Sequence, residues 1–262
     1  LDLFGQAKAA APPDSVFARR IALVDEFLST LRNRATQIDV PRPEGLPEYR
    51  LIDMGKDKWR DVRDTLTMDG KLEDPFWKAY NYPRPLKDVE TGRKPEHETR
   101  FMARWWNDSL IFGIRCEFDP SEPPVIGSKH DGDPAIWQGE HLELLIETDR
   151  HSYYQMVINP AGAVIDLDRA VKLSEAYDWS SQAEVATHVG EDFWSAELRL
   201  PVTSSDEDPL HQMIGSRPFQ AKQSALESGK GTSLPWYFNL YRKRSGTENV
   251  ETTAFSPIGP EA

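Results

Sequence analysis

From about residue 49 onward, apolar and polar side chains alternate one by one along most of this chain. That period of two constrains the fold more than any other feature. Leu110, Phe112, Ile114, Cys116 and Phe118 share one face of a run. Leu142, Leu144 and Ile146 share another, with Glu143, Leu145 and Glu147 on the reverse side. Tyr154, Met156 and Ile158 likewise oppose Tyr153, Gln155, Val157 and Asn159. Successive side chains of an extended strand point to opposite faces, so each run is a strand with one face to bury. Further runs at 163–168, 184–189, 193–201 and 236–244, and a weaker one at 251–255, read as strands too. Turn signals separate them at Asp69-Gly70, Asn107-Asp108-Ser109, Pro160-Ala161-Gly162 and Gly190-Glu191-Asp192. Many short strands with turns between them predict an all-β fold, an antiparallel β-sandwich of immunoglobulin or jelly-roll kind.

The first stretch has a different period. Val16, Phe17, Ile21, Val24, Phe27, Leu28 and Leu31 recur at three and four residues, the stripe of an amphipathic helix. Val40-Pro41-Arg42-Pro43-Glu44-Gly45 breaks that pattern, so residues 1–45 are expected as a helical extension and linker and 46–262 as the sandwich. The start at Leu1, without methionine, reads as a fragment or a processed form. A helical piece is also expected near 219–227, within a polar, turn-rich stretch over 203–233.

Charge and composition narrow the partners. A formal net charge of -12 argues against a nucleic-acid backbone, which wants a basic stripe. No apolar run approaches the roughly 20 residues of a membrane span. Cys116 is the only cysteine, so neither a disulfide framework nor a zinc cluster is expected, and its alternating setting reads as core. The histidines form no metal-ligand pattern, and neither a nucleophile elbow nor a Ser-His-Asp order is found.

What remains is a set of polar groups on a sheet beside an aromatic ring. Trp137 stands between a polar loop and the strand carrying Glu143, and Gln155 and Asn159 lie on the outward face of the next strand. A sugar packs its C–H face on such a ring and requires fixed partners for its hydroxyls. A ring at that position serves equally well as an end cap of the core. Trp77 and Trp106 read as core. Asn239 shares a face with Tyr237 and Tyr241, and Arg242 on the same strand could meet a ligand hydroxyl or pair with Glu143 or Glu147. Glu143 and Glu147 share a strand face at an expected spacing of about 7 Å, within the range of inverting glycosidases. A solvated sheet face is the commoner reading of such a pair. Asp131, Asp133, Asp166 and Asp168 offer oxygen ligands for calcium, but turn chemistry accounts for them.

Taken in order, these segments resemble family 9 carbohydrate-binding modules and the wider DOMON-like group. The resemblance runs through Asp69-Gly70-Lys71-Leu72-Glu73-Asp74-Pro75-Phe76-Trp77, Arg104-Trp105-Trp106-Asn107-Asp108-Ser109, Ile136-Trp137, Leu142-Glu143-Leu144-Leu145-Ile146 and Tyr153 to Gly162. It continues through Trp194 to Pro201 and Trp236 to Arg242, so it covers residues 65 to 258. It implies a sandwich that binds glycans without cleaving them, needs no cofactor, often holds structural calcium, and works outside the cytoplasm: extracellular, periplasmic or at the cell surface. It also implies an upstream catalytic domain in the same polypeptide, of which residues 1–36 would be the helical end. Trp137 and Glu143 match the family's clamp tryptophan and strand glutamate. Val157 departs from it, standing where the best-studied type of site has an arginine. The second clamp tryptophan follows the last-but-one strand, and the sequence ends at Ala262 where that loop would begin.

The expected function is therefore noncatalytic carbohydrate binding by Trp137, Glu143, Gln155, Asn159 and Arg242, targeting an attached catalytic domain to glycan. The alternative is a degenerate sandwich that docks on its own upstream domain or another chain. An enzyme using Glu143 and Glu147, or a haem site using Met156 and His188, is a weaker reading.

Overall fold

The computed structural model describes residues 46–79, 82–203, 212–215, 236–245 and 250–256. The helix expected over 16–31, the linker up to residue 45 and the helical piece near 219–227 lie outside them.

Two sheets face each other. The first contains β1 (Ile52–Asp53), β2 (Arg84–Pro85), β4 (Thr99–Trp106), β5 (Ser109–Glu117), β9 (Glu184–Val189), β10 (Phe193–Thr203) and β11 (Met213–Ile214). The second is ordered β3 (Lys87–Asp88), β13 (Val250–Ala254), β12 (Tyr237–Ser245), β6 (His141–Glu147), β7 (Tyr154–Ile158) and β8 (Val164–Asp168). The long pairings are antiparallel, as the sequence predicts. Two-residue parallel pairings of β1 with β4 and β11 with β10 are an addition that alternation could not reveal.

Local chemistry sets the turns. Asn107 and Asp108 join β4 to β5 with φ of 49° and 51°, the left-handed pair that a tight hairpin between right-twisted strands requires. Gly70 has φ of 80°, and a Cβ there would lie 2.5 Å from the carbonyl carbon of Thr187, so only glycine fits.

The inner faces are the ones alternation selected. Phe101, Phe112, Ile114, Trp194 and Leu198 of the first sheet meet Leu142, Leu144, Ile146, Tyr154, Met156 and Leu240 of the second in one buried cluster. Cys116 is buried among them, and that burial pushes its thiol up to about 12. The outer face of the first sheet is covered in part by the segment before β2. There Phe76 and Trp77, on the short helix α1 (Pro75–Lys78), pack with Met54, Met102 and Ile111. Trp77 donates its indole N–H to buried Glu197 at 2.7 Å, and the backbone N–H groups of Asp69 and Gly70 fill the other carboxylate oxygen. Trp77 and Trp106 thus belong to packing clusters, as expected.

Candidate functional site

The outer face of the second sheet carries the polar side chains. Ladder register sets Glu143 opposite Tyr241 on one side and Val157 on the other, and Leu145 opposite Asn239 and Gln155. Gln155 in turn faces Leu167. Glu143 therefore sits mid-sheet, with strands on both sides.

A chain of hydrogen bonds crosses this face. Arg169, just past the end of β8, donates from Nε to Gln155 Oε1 at 2.7 Å. Gln155 donates from Nε2 to Glu143 Oε2. Glu143 Oε1 lies 3.2 Å from His141 Nε2, and His141 Nδ1 is 2.8 Å from the carbonyl of Gly139. The Glu143 side chain is 19% exposed, so it is partly desolvated yet reachable. Two protein partners leave lone pairs on both carboxylate oxygens for further donors. Tyr241 is opposite, its phenol pKa raised by burial and secondarily by the charge of Glu143, so it stays a hydroxyl donor.

Trp137 lies in a 3-10 turn (Pro134–Gln138) that Asp133 caps by accepting from Ala135 N at 2.9 Å. The ring is half-buried and packs on a second cluster of Ile136, Val157, Ala163, Ile165, Leu167 and Ala176. Val157 is thus both the cross-strand neighbour of Glu143 and part of the floor under Trp137. An arginine there would have to give up that packing. Arg169, a residue that sequence reasoning missed, brings a guanidinium to this face. Its one signal is parity, because Arg169 follows Leu167 by two and so reaches Gln155 diagonally.

The structure brings Trp137, Glu143 and Gln155 to one face but leaves the other two expected residues elsewhere. Asn159 is fully buried. Its Oδ1 accepts from the N–H groups of Ala161 and Ala163, both at 3.1 Å, and its Nδ2 donates to the Ser128 carbonyl at 2.7 Å. It ties a turn to a loop. Arg242 is on the inner face, 1% exposed, and pairs not with Glu143 or Glu147 but with Glu140 at 2.6 Å. Its other donors go to Thr99 Oγ1 at 3.0 Å and the Glu117 carbonyl at 2.8 Å.

The spacing of Glu143 and Glu147 also needs correcting. They face Tyr241 and Tyr237, four residues apart, so about 13 Å at strand rise and beyond the glycosidase range. The four aspartates weighed for calcium all take protein donors. Asp131 accepts from Val164 N, Asp133 from Ser128 Oγ, Asp166 from Ser181 Oγ, and Asp168 lies 2.8 Å from His151 Nε2. No helix among the described residues is long and apolar enough to cross a membrane.

No family model matches the chain, and no curated protein matches it. Solved structures are similar to it, among them the following three. Two are of a family 9 carbohydrate-binding module from Caldicellulosiruptor kristjanssonii. The complex with glucose is 12% identical, with TM-score 0.44, over 72% of this chain and 81% of that one. The complex with cellotriose is 12% identical, with TM-score 0.46, over 78% and 82%. The third is a candidate carbohydrate-binding protein from Bacteroides uniformis ATCC 8492, 14% identical, with TM-score 0.49, over 81% and 90%.

Proposed function

We propose that the outer face of the six-stranded sheet binds carbohydrate without cleaving it. The observation that carries this reading is the Arg169–Gln155–Glu143–His141 chain, a partly exposed polar network held in place on a sheet beside the half-buried ring of Trp137. Trp137 stacks on the pyranose face, Glu143 accepts hydroxyls, and Gln155 and Arg169 orient that carboxylate. Groups already ordered by the sheet lose little entropy on binding, so one stacked ring with two or three charge-assisted hydrogen bonds gives roughly micromolar to millimolar affinity. In this reading the module works outside the cytoplasm and holds a glycan near a catalytic domain on the same polypeptide.

Calorimetric titration with mono- and oligosaccharides tests it. Glu143→Gln removes a charged acceptor worth about 1.5–3 kcal/mol, so affinity falls roughly 10- to 150-fold. Trp137→Ala should abolish measurable binding. Folded wild type that gives no heat with any sugar sinks the proposal. A second reading, a docking sandwich without a sugar site, is favoured by the packing of Trp137 on an apolar cluster. It predicts that outcome, together with co-purification of this chain with its partner domain.

A further inference from the structure

On the opposite side of the molecule, the outer face of the seven-stranded sheet has a cleft of about 380 Å³ between the Lys71–Glu73 segment and strands β4, β5 and β10. In a chain of net charge -12, its lining carries Lys71, Arg100 and Arg115 against a single carboxylate, Glu73. Arg100 and Arg115 stand directly opposite each other on the β4–β5 ladder. Like charges in that position repel, and an isolated sheet would select against them.

The compensation of this pair is uneven. Arg100 meets Glu98 at 2.7 Å, its own side chain 51% exposed but that of Glu98 only 10%, so one edge of its guanidinium is held. Arg115 has Asp192 only at 3.8 Å, and Lys71 has Asp69 at 3.1 Å, both on exposed side chains. Exposed pairs such as these two hold their partners loosely. The Arg115 guanidinium lies over the Phe193 ring, 3.4 Å from its centroid, which fixes its plane and leaves its N–H edge for a planar anion.

The floor is shaped as well as charged. Gly113, in mid-strand, has no side chain, and a Cβ there would come within 2.7 Å of Leu72 Cδ2. Leu72 itself holds φ of 60°, a left-handed conformation that costs a branched residue energy and that clusters at ligand clamps.

The geometry points to a second binding site here, for a carboxylate or sulfate group carried on a sugar ring, with Arg100 and the Phe193-backed Arg115 as a bidentate clamp, Lys71 at the rim, and the apolar side chain of Leu72 under the ring. The site lies on the sheet opposite Glu143 and does not rest on the reading of that face.

Amide-resolved NMR titration at low salt tests it, with methyl glucuronoside, methyl glucoside and sodium sulfate as probes. The glucuronoside saturates, shifts the amides of Gly113 and Ser195, and weakens at least tenfold in 0.5 M NaCl as the charges are screened. Arg100→Gln and Arg115→Gln each weaken it about tenfold while the remaining amide spectrum stays that of the wild type, and Glu143→Gln leaves it unchanged. Sulfate binding without the glucuronoside would be an adventitious ion only and would overturn the sugar-borne ligand. The site is overturned if neither anion binds better than the glucoside, if neither arginine variant matters, or if Glu143→Gln alone removes binding.

Discussion

Arg242 and Glu140 form an ion pair with 1% and 0% side-chain exposure, and replacing Arg242 with methionine isolates what it does. The substitution keeps an unbranched apolar stem but removes the guanidinium, and with it the donors to Glu140 Oε1, Thr99 Oγ1 and the Glu117 carbonyl. Among the described residues the Glu140 carboxylate then keeps only the Trp194 indole N–H at 2.7 Å and the Ser245 N–H at 3.3 Å, with its paired countercharge gone. Breaking one partner of a buried pair costs about 3–5 kcal/mol. At roughly 2–4 °C of Tm per kcal/mol for a domain of this size, Tm should fall by about 6–20 °C. Glu140→Gln should cost a similar amount, because it strands the guanidinium. The double variant Glu140→Gln/Arg242→Met should lose at least 1 kcal/mol less than the sum of the singles, since it strands neither charge. Urea unfolding followed by tryptophan fluorescence measures all three. A loss under about 1 kcal/mol in either single variant, or strict additivity, refutes the reasoning. If Arg242 served a ligand instead, Arg242→Met would fold with wild-type stability and lose only sugar binding.

Three further outcomes are expected. Gly70→Ala puts a Cβ against the Thr187 backbone at positive φ and should cost about 1–3 kcal/mol in urea unfolding; an unchanged midpoint would contradict the close approach. Burial, and secondarily the nearby charge of Asp131, raises the pKa of Asp166, so this group's stabilising contribution is complete below its unfolded value of 3.8 and is lost as pH rises through the folded one. Asp166→Asn should therefore gain on wild type between pH 3.5 and pH 7 in urea midpoints, and a gain in the opposite direction would show that the carboxylate is favoured as an anion. With its thiol pushed up to about 12 and no exposed surface, Cys116 should resist thiol reagents at pH 8 until the protein unfolds, and fast labelling of the native state would contradict its place in the core.

The two sheets were legible because a strand with one buried face writes its parity into the chain. Leu142, Leu144, Ile146, Tyr154, Met156 and Ile158 all fall inside as that parity requires. The same parity places Glu143 and Gln155 together outside, whatever the register. It also places Arg242 inside, two residues after Leu240. What hid this is the expectation that a charged residue belongs outside unless it is paired, and the pair is made with Glu140, which precedes β6 and has no ladder position to signal it. Asn159 escaped detection for a related reason. It sits one residue past β7, where the turn it ties down, not the strand's parity, decides its direction. Arg169 was missed because its reach to Gln155 depends on the β7–β8 register, and register between neighbouring strands is set by turn length and packing. Alternation thus separates faces reliably but cannot tell a buried charge from an exposed one, because the partner that makes burial tolerable is distant in sequence. Once those partners are assigned, Arg242 and Asn159 are accounted for by the interior. Glu143 keeps open lone pairs on a reachable face, which is why function is sought there.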